Sequence, residues 1–301
     1  MTIFSIIILT YNSNHDIINC IESIYNTLDI PREQIEIIVV DNSSTEVFDE
    51  LKSLVYNKFG DEIILIKNIN GGYGQGNNVG IRASKGQFVC IVNPDVLFTS
   101  KMFSSVAELF NNNKKLALIG GKQYGGKNIS FKFREEYDFF AFTEPLAVFL
   151  NKINLFLPKF SYLSGALLFI DKQKFNDIGL FDETFFLYCE ESDICKRFLN
   201  NNNQIIFAKN FTYRHLIDGR NHTSDFSFQN LIDSSQKYLE KHNFSYEKFI
   251  LKKILSYQII LIICKIINNK KLISKNKTNL NRFLDLKNKL NERKRNKIST
   301  G

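Results

Sequence analysis

Apolar residues in the first hundred positions fall into short unbroken runs, separated by stretches with a three-to-four-residue period. The runs at 4–9, 35–40, 63–66 and 88–92 are rich in Ile and Val. Runs of this length predict strands buried on both faces, the habit of parallel sheets. Between them, residues 16–28 place Ile17, Cys20, Ile21 and Ile24 on one helical face, and 47–59 and 76–83 continue the alternation. Strand and helix in turn predict right-handed crossover units around one α/β sheet.

The second half is less regular. Strands are expected at 116–119, 166–170 and 204–207, and helices at 102–111, 173–178, 191–199 and 228–242. Residues 122–160 carry many aromatics and show neither period, so they read as an irregular, mobile excursion over a site. From residue 249 onward, helical runs set apolar residues against Lys and Arg.

Composition supports a globular chain. Its 301 residues are 44% hydrophobic and 23% charged, with 15 Gly and 4 Pro, which excludes disordered and collagen-like classes. The net charge of +8 suggests a polyanion partner only until it is located. Residues 245–301 hold 15 Lys and Arg against 3 acids, leaving 24 against 28 in residues 1–244. The body is mildly acidic and the basicity belongs to the tail. Five widely spaced cysteines form no CxxC pair and no secretory leader precedes the first run, which favours a reduced, cytoplasmic setting. The longest apolar stretch, 259–267, is broken by Lys265 and is too short to span a bilayer.

Ligands of open parallel sheets bind beyond the carboxyl ends of strands. Three such ends carry polar groups: Thr10-Tyr11-Asn12, Asp41-Asn42-Ser43-Ser44 and Asn93-Pro94-Asp95. Tyr11 could stack on a ring, and Asp41 either accepts bonds from a base or ribose or caps the next helix. Asp95 is a hard oxygen donor suited to a divalent ion, or part of a plain turn. The stretch from Asn70 and Gly72 to Asn77 and Asn78 does not fit GxGxxG and follows a late strand, which argues against a dinucleotide site. It still offers a backbone-close loop and a helix start that favours an anion. Glu190, Glu191 and Asp193 open a helix after Phe185-Phe186-Leu187-Tyr188, either as dipole caps or as a carboxylate pair with one raised pKa, fit for a general base. His215 is a lone histidine, a structural group or a metal or phosphate ligand.

These motifs, in this order and over residues 3–220, resemble the family 2 glycosyltransferases of GT-A fold. The resemblance implies a Rossmann-like, mostly parallel central sheet flanked by helices, with a basic α-helical C-terminal extension. Residues 1–100 would form the nucleotide-sugar half, 101–244 the acceptor and catalytic half, and 245–301 the amphipathic tail. It implies inverting transfer from a nucleotide-sugar donor, such as dTDP-rhamnose or a UDP-hexose, to a lipid-linked saccharide acceptor in surface polysaccharide synthesis. The loop around Asn70 is most similar to the rhamnosyltransferase branch.

The donor nucleotide would be held by Thr10, Tyr11, Asn12, Asp41, Asn42, Asn70, Gly72, Asn77, Asn78 and Asn93. Mn²⁺ or Mg²⁺ would sit on Asp95 with His215, Asn93 standing where the family carries an aspartate. Glu191, with Glu190 beside it, would be the base, and Ser164, Gly165 and Asp193 would face the acceptor. The tail would dock the protein on the inner face of an anionic membrane, or else pack or form a homodimer contact. A nucleotidyltransferase would show a glycine-rich basic loop after the first strand, which Thr10-Tyr11-Asn12-Ser13 lacks. The acidic body carries no nucleic-acid module, so no nucleic acid is expected as a partner.

Overall fold

The structure is a computed structural model that describes residues 1–125, 129–216 and 224–299, except for the side chains of 293, 294 and 296–299. The first half runs β1 (Phe4–Thr10), α1 (Asn14–Thr27), β2 (Ile35–Asp41), α2 (Thr45–Phe59), β3 (Ile63–Lys67), α3 (Tyr73–Ala83) and β4 (Phe88–Val92). β1 pairs in parallel with β2 from Phe4 opposite Ile35 to Thr10 opposite Asp41, and with β4 from Phe4 opposite Phe88. In-phase parallel pairing brings the three polar strand ends to one edge of the sheet.

The second half contains β5 (Val96–Phe98), α4 (Phe103–Asn112), β6 (Leu116–Tyr124), β7 (Phe131–Phe133), α5 (Phe140–Lys152), β8 (Ser161–Leu163), β9 (Leu167–Asp171), α6 (Lys172–Asp177), α7 (Glu190–Asn200) and β10 (Gln204–His215). It ends in α8 (Asp225–Lys241), α9 (Tyr246–Ile266) and α10 (Lys270–Ser299). The large sheet has the order β3-β2-β1-β4-β9-β6-β10-β5, and β7 and β8 form a separate hairpin-like pair. β9 lies antiparallel between β4 and β6, and β5 antiparallel to β10, so the parallel character holds for the first half and becomes mixed in the second.

Successive residues of β1 explain its unbroken apolar run. Ile6 and Ile8 point into a core with α1, α2 and α4, while Ile7 points into another with α3, α6 and α7. Side chains alternate across a strand, and here both faces are covered.

Two expectations are corrected. The described residues of 122–160, all but 126–128, are not an irregular excursion: they hold the end of β6, then β7 and the thirteen-residue α5. The helical period was masked because α5 is apolar outward as well as inward, with Phe142, Leu146 and Phe149 exposed and only Ala147, Leu150 and Asn151 buried. Residue 245 is likewise no edge of a separate tail. Phe249, Ile250 and Ile254 of α9 and Phe283 of α10 share a core with Phe185, Cys189 and Tyr238. Lys253 pairs with Asp138, and Lys252 donates to the carbonyl of Glu136 at 2.9 Å. The basic extension therefore buttresses the segment that leads into α7.

Candidate active site

At the ends of β1 and β2, Thr10 and Asp41 are fully buried, and the Thr10 hydroxyl donates to Asp41 Oδ1 at 2.7 Å. Ser43 Oγ donates to the same oxygen at 2.7 Å and accepts from the backbone of Asn12 at 2.8 Å. Asn12 sits at φ 52°, a left-handed conformation asparagine tolerates. This shelf turns Tyr11 outward, 58% exposed, with Asn12 beside it. Direct ligand contact at this edge is open to Tyr11 and Asn12, while Thr10 and Asp41 support them from below.

Several residues expected on the donor are committed elsewhere. Asn42 donates to Asn70 Oδ1 at 3.2 Å and accepts from Asn68 at 2.7 Å, in an amide network that folds the loop onto β2. Gly72 lies at φ +102°, and a Cβ there would stand 2.2 Å from the carbonyl oxygen of Phe186. The next amide, Tyr73 N–H, donates to that oxygen at 2.9 Å. Asn78 donates to Phe181 O and Glu183 Oε1, both at 2.9 Å, and accepts from Phe181 N–H. Asn42, Gly72 and Asn78 thus tie the loop to β2 and to the segment before α7, because each buried amide or carbonyl needs a partner. Asn77 donates to Tyr73 O at 3.0 Å, and its Oδ1 is buried without a partner; Asn70 is exposed.

Asn93 closes a turn, its N–H donating to Ala166 O at 3.0 Å and its carbonyl accepting from Val96 at 3.2 Å. Asp95, 2% exposed, has Oδ1 3.1 Å from His215 Nε2, a meeting set by the pairing of His215 opposite Val96 across β10 and β5. His215 Nδ1 is buried with no partner. Among the described residues no three His, Cys, Asp or Glu side chains cluster as a complete metal cage. One carboxylate and one imidazole nonetheless suit Mn²⁺ or Mg²⁺ when phosphate oxygens and water complete the shell, so this donor set fits such an ion.

The carboxylate pair opens α7 after two consecutive left-handed residues, Tyr188 at φ 75° and Cys189 at φ 71°. Such backbone costs about 1–3 kcal/mol per residue and is held by its surroundings. Cys189 Sγ lies 3.5 Å from Glu135 Oε1, and the Ser192 hydroxyl donates to Glu135 Oε2. Glu190 is 2% exposed with Oε1 unpartnered, and burial, then the charge of Glu191, pushes its pKa well above the ordinary value. Glu191 is half-buried and accessible. Burial raises its pKa too, offset in part by its own backbone N–H, by Lys132 and by a Gly165 N–H bond. Of the pair, Glu190 is the more deeply buried and is pushed well above the ordinary range, while Glu191 is raised with three groups working against the rise.

Gly165 presses on that base: a Cβ would lie 2.0 Å from Glu191 Oε1. The Tyr73 hydroxyl donates to Gly165 O at 3.0 Å, and Ser164 N–H donates to Ser130 O at 2.8 Å. The β4 and β9 ends, the start of α3 and the start of α7 are thereby linked. Asp193, expected to face the acceptor, is corrected to a lock on α7. It is fully buried against Arg197 at 2.7 Å, Lys241 at 2.8 Å and His242 at 2.9 Å. Burial would raise its pKa, but His242, Arg197 and Lys241 outweigh this and hold it below the usual range.

Sequence reasoning missed Tyr73, Lys132 and Glu135. Lys132 and Glu135 lie in the stretch where no period or motif was visible. Burial pushes Glu135 up to about 7.

Residues 5–179 match the family model described as "Glycosyl transferase family 2". Over 127 residues the chain is 27% identical to the poly(ribitol-phosphate) beta-N-acetylglucosaminyltransferase TarS of Staphylococcus aureus, covering 42% of this chain but only 22% of that relative's length. An uncharacterized glycosyltransferase of Rickettsia typhi is 27% identical over 263 residues, 86% of this chain and 74% of the relative. Among solved structures, the mannosyltransferase PcManGT from Pyrobaculum calidifontis, in complex with GDP-Man and Mn²⁺, superposes with a TM-score of 0.60. That match has 12% identity and covers 94% of this chain and 86% of the other, a likeness of fold.

Proposed function

The chain belongs to glycosyl transferase family 2, and from that premise we propose that it is an inverting glycosyltransferase that uses Glu191 as general base. The observation that carries this reading is an accessible carboxylate of raised pKa, packed against Gly165 and set beside the buried Glu190. A base poised above its ordinary range can accept a proton from a sugar hydroxyl as the oxygen attacks the anomeric carbon. Tyr11 stacks on the donor base, with Asn12 beside it, over the Thr10 and Asp41 shelf. Asp95 and His215 hold Mn²⁺ or Mg²⁺, which when bound supplies positive charge against the leaving diphosphate. Glu190, buried and pushed well above its ordinary range, stands beside Glu191, and the ion pairs of Asp193 anchor the first turn of α7 that carries both. The Lys132 ammonium, near Glu191 and exposed, favours an acceptor that carries negative charge.

The donor class we favour is a UDP-hexose or its N-acetyl form, in line with the N-acetylglucosaminyl transfer in the staphylococcal relative's name and its structure in complex with UDP-GlcNAc; dTDP-rhamnose is the other candidate. The acceptor is a lipid-linked saccharide or polyol phosphate of a surface polymer. A thermal-shift screen of nucleotide sugars with Mn²⁺ tests the donor, since a ligand of the native state alone raises its stability. Glu191→Gln should retain the donor shift and lose transfer. Near-normal turnover in that variant would exclude Glu191 as the base.

A further inference from the structure

The turn joining α9 to α10 exposes an unusual concentration of aliphatic surface. Ile262, Ile263, Ile266, Ile267 and Leu272 are 59, 51, 78, 58 and 39% exposed. Five large aliphatic side chains are thus exposed within eleven residues, around the turn between the two helices. Leu251 and Leu255, 42 and 48% exposed, extend this surface along α9. Positions 251, 255, 262 and 266 fall within about 60° of one another at 100° per residue, so they share one face. The opposite face of α9 is fixed: Phe249, Ile250, Ile254 and Cys264 are buried, and Tyr257 stacks on Phe283 of α10 with ring centroids 5.6 Å apart. The patch is therefore held outward on an anchored hairpin.

Charge around the patch has one sign. Residues 248–284 contain nine Lys and Arg and no Asp or Glu. Lys252, Lys253 and Arg282 are engaged by the Glu136 carbonyl, Asp138 and Asp225. Lys248, Lys265, Lys270, Lys271, Lys275 and Lys277 are exposed, and Lys248 and Lys265 lie three residues from Leu251 and Ile262 on the same side. An apolar patch ringed by ammonium groups complements a surface with anionic headgroups over an acyl interior. A second copy of the chain would instead oppose like charges. No helix among the described residues is long and apolar enough to cross a membrane.

We infer that the α9–α10 hairpin tip docks the protein on an anionic lipid bilayer, with Ile262, Ile263, Ile266 and Ile267 in the headgroup boundary and the surrounding lysines on lipid phosphates. This rests on the proposed lipid-linked acceptor only in its biological sense, for the docking itself requires no sugar transfer. It narrows the membrane contact expected of residues 245–301 to the apolar tip between α9 and α10.

The test is co-sedimentation of the full chain with vesicles of phosphatidylcholine alone and of phosphatidylcholine with phosphatidylglycerol, at two salt concentrations. The full chain should pellet with the anionic vesicles and be released in part by salt. Ile262→Ser/Ile266→Ser/Ile267→Ser should lower the partition coefficient by roughly tenfold or more with an unchanged melting temperature, since these side chains are exposed. Lys265→Glu/Lys270→Glu/Lys271→Glu should abolish the preference for phosphatidylglycerol. Failure of the wild-type chain to bind vesicles, or equal binding by the serine variant, overturns the inference. So does a dimer on gel filtration that the serine variant dissolves while vesicle binding is absent. Donor hydrolysis without vesicles, measured alongside, separates the outcomes: hydrolysis without docking refutes the tip alone, and docking without hydrolysis refutes the catalytic reading alone.

Discussion

Replacing Gly165 by alanine should damage catalysis while leaving the fold nearly intact. The new Cβ would lie 2.0 Å from Glu191 Oε1, 2.8 Å from Cδ and 2.9 Å from Cγ, whereas ordinary contact begins near 3.4 Å. The carboxylate must therefore retreat by about 1.4 Å. Gly165 does not occupy a left-handed conformation, so alanine adds no backbone strain. The displaced group is the end of a flexible side chain, and the loss in stability should be about 1 kcal/mol, the worth of one hydrogen bond. A base moved by more than an ångström from its productive position costs on the order of 100-fold in rate, about 2.7 kcal/mol of barrier. The assay is nucleoside diphosphate release at saturating donor, paired with a melting curve. Turnover within about twofold of wild type, with an unchanged melting temperature, would show that Glu191 is not the reacting carboxylate. A large drop in melting temperature would instead place the damage in the fold and refute the account of Gly165.

Gly72→Ala should behave in the opposite manner, because its Cβ meets the Phe186 backbone at 2.2 Å and φ is +102°. Strain and the lost Tyr73 bond should cost about 2–4 kcal/mol in chemical denaturation, and a change below about 0.5 kcal/mol contradicts the contact. Lys132→Ala removes a charge that lowers the Glu191 pKa, so the acid limb of the pH–rate profile should move to higher pH; an unmoved limb would reject the coupling. Glu135, raised from 4.5 to about 7, binds its proton more tightly folded than unfolded. Wild-type stability should therefore fall as pH rises through that window, and Glu135→Gln should flatten the fall in melting temperature between about pH 5 and about pH 8. Parallel curves would rule this out.

The left-handed pair Tyr188 and Cys189 shows how the site is assembled from distant parts. Glu135 reaches both Cys189 and Ser192, Tyr238 donates to Glu136 at 2.8 Å, and Lys253 holds Asp138. Residues around 135, 190, 238 and 253 thus brace one turn. Nothing in the local sequence at any of them announces the other three.

What the sequence determined by itself was local: the continuous Ile and Val runs, the helical periods between them, and the polar residues that follow β1, β2 and β4. A run buried on both faces is legible because every position obeys the same rule, and a motif just after it must lie at the strand end. Only the tertiary structure decided which of those polar groups stay exposed and which are consumed by internal partners. Asn78 finds its partners at Phe181 and Glu183, more than a hundred residues away. Asp193 finds one at His242, and Gly165 meets Glu191. A buried polar side chain must satisfy itself with whatever packing brings near, and that neighbour is not written beside it in the chain. The same holds for α5, whose exposed Phe142, Leu146 and Phe149 blur the helical period that its buried face alone would show.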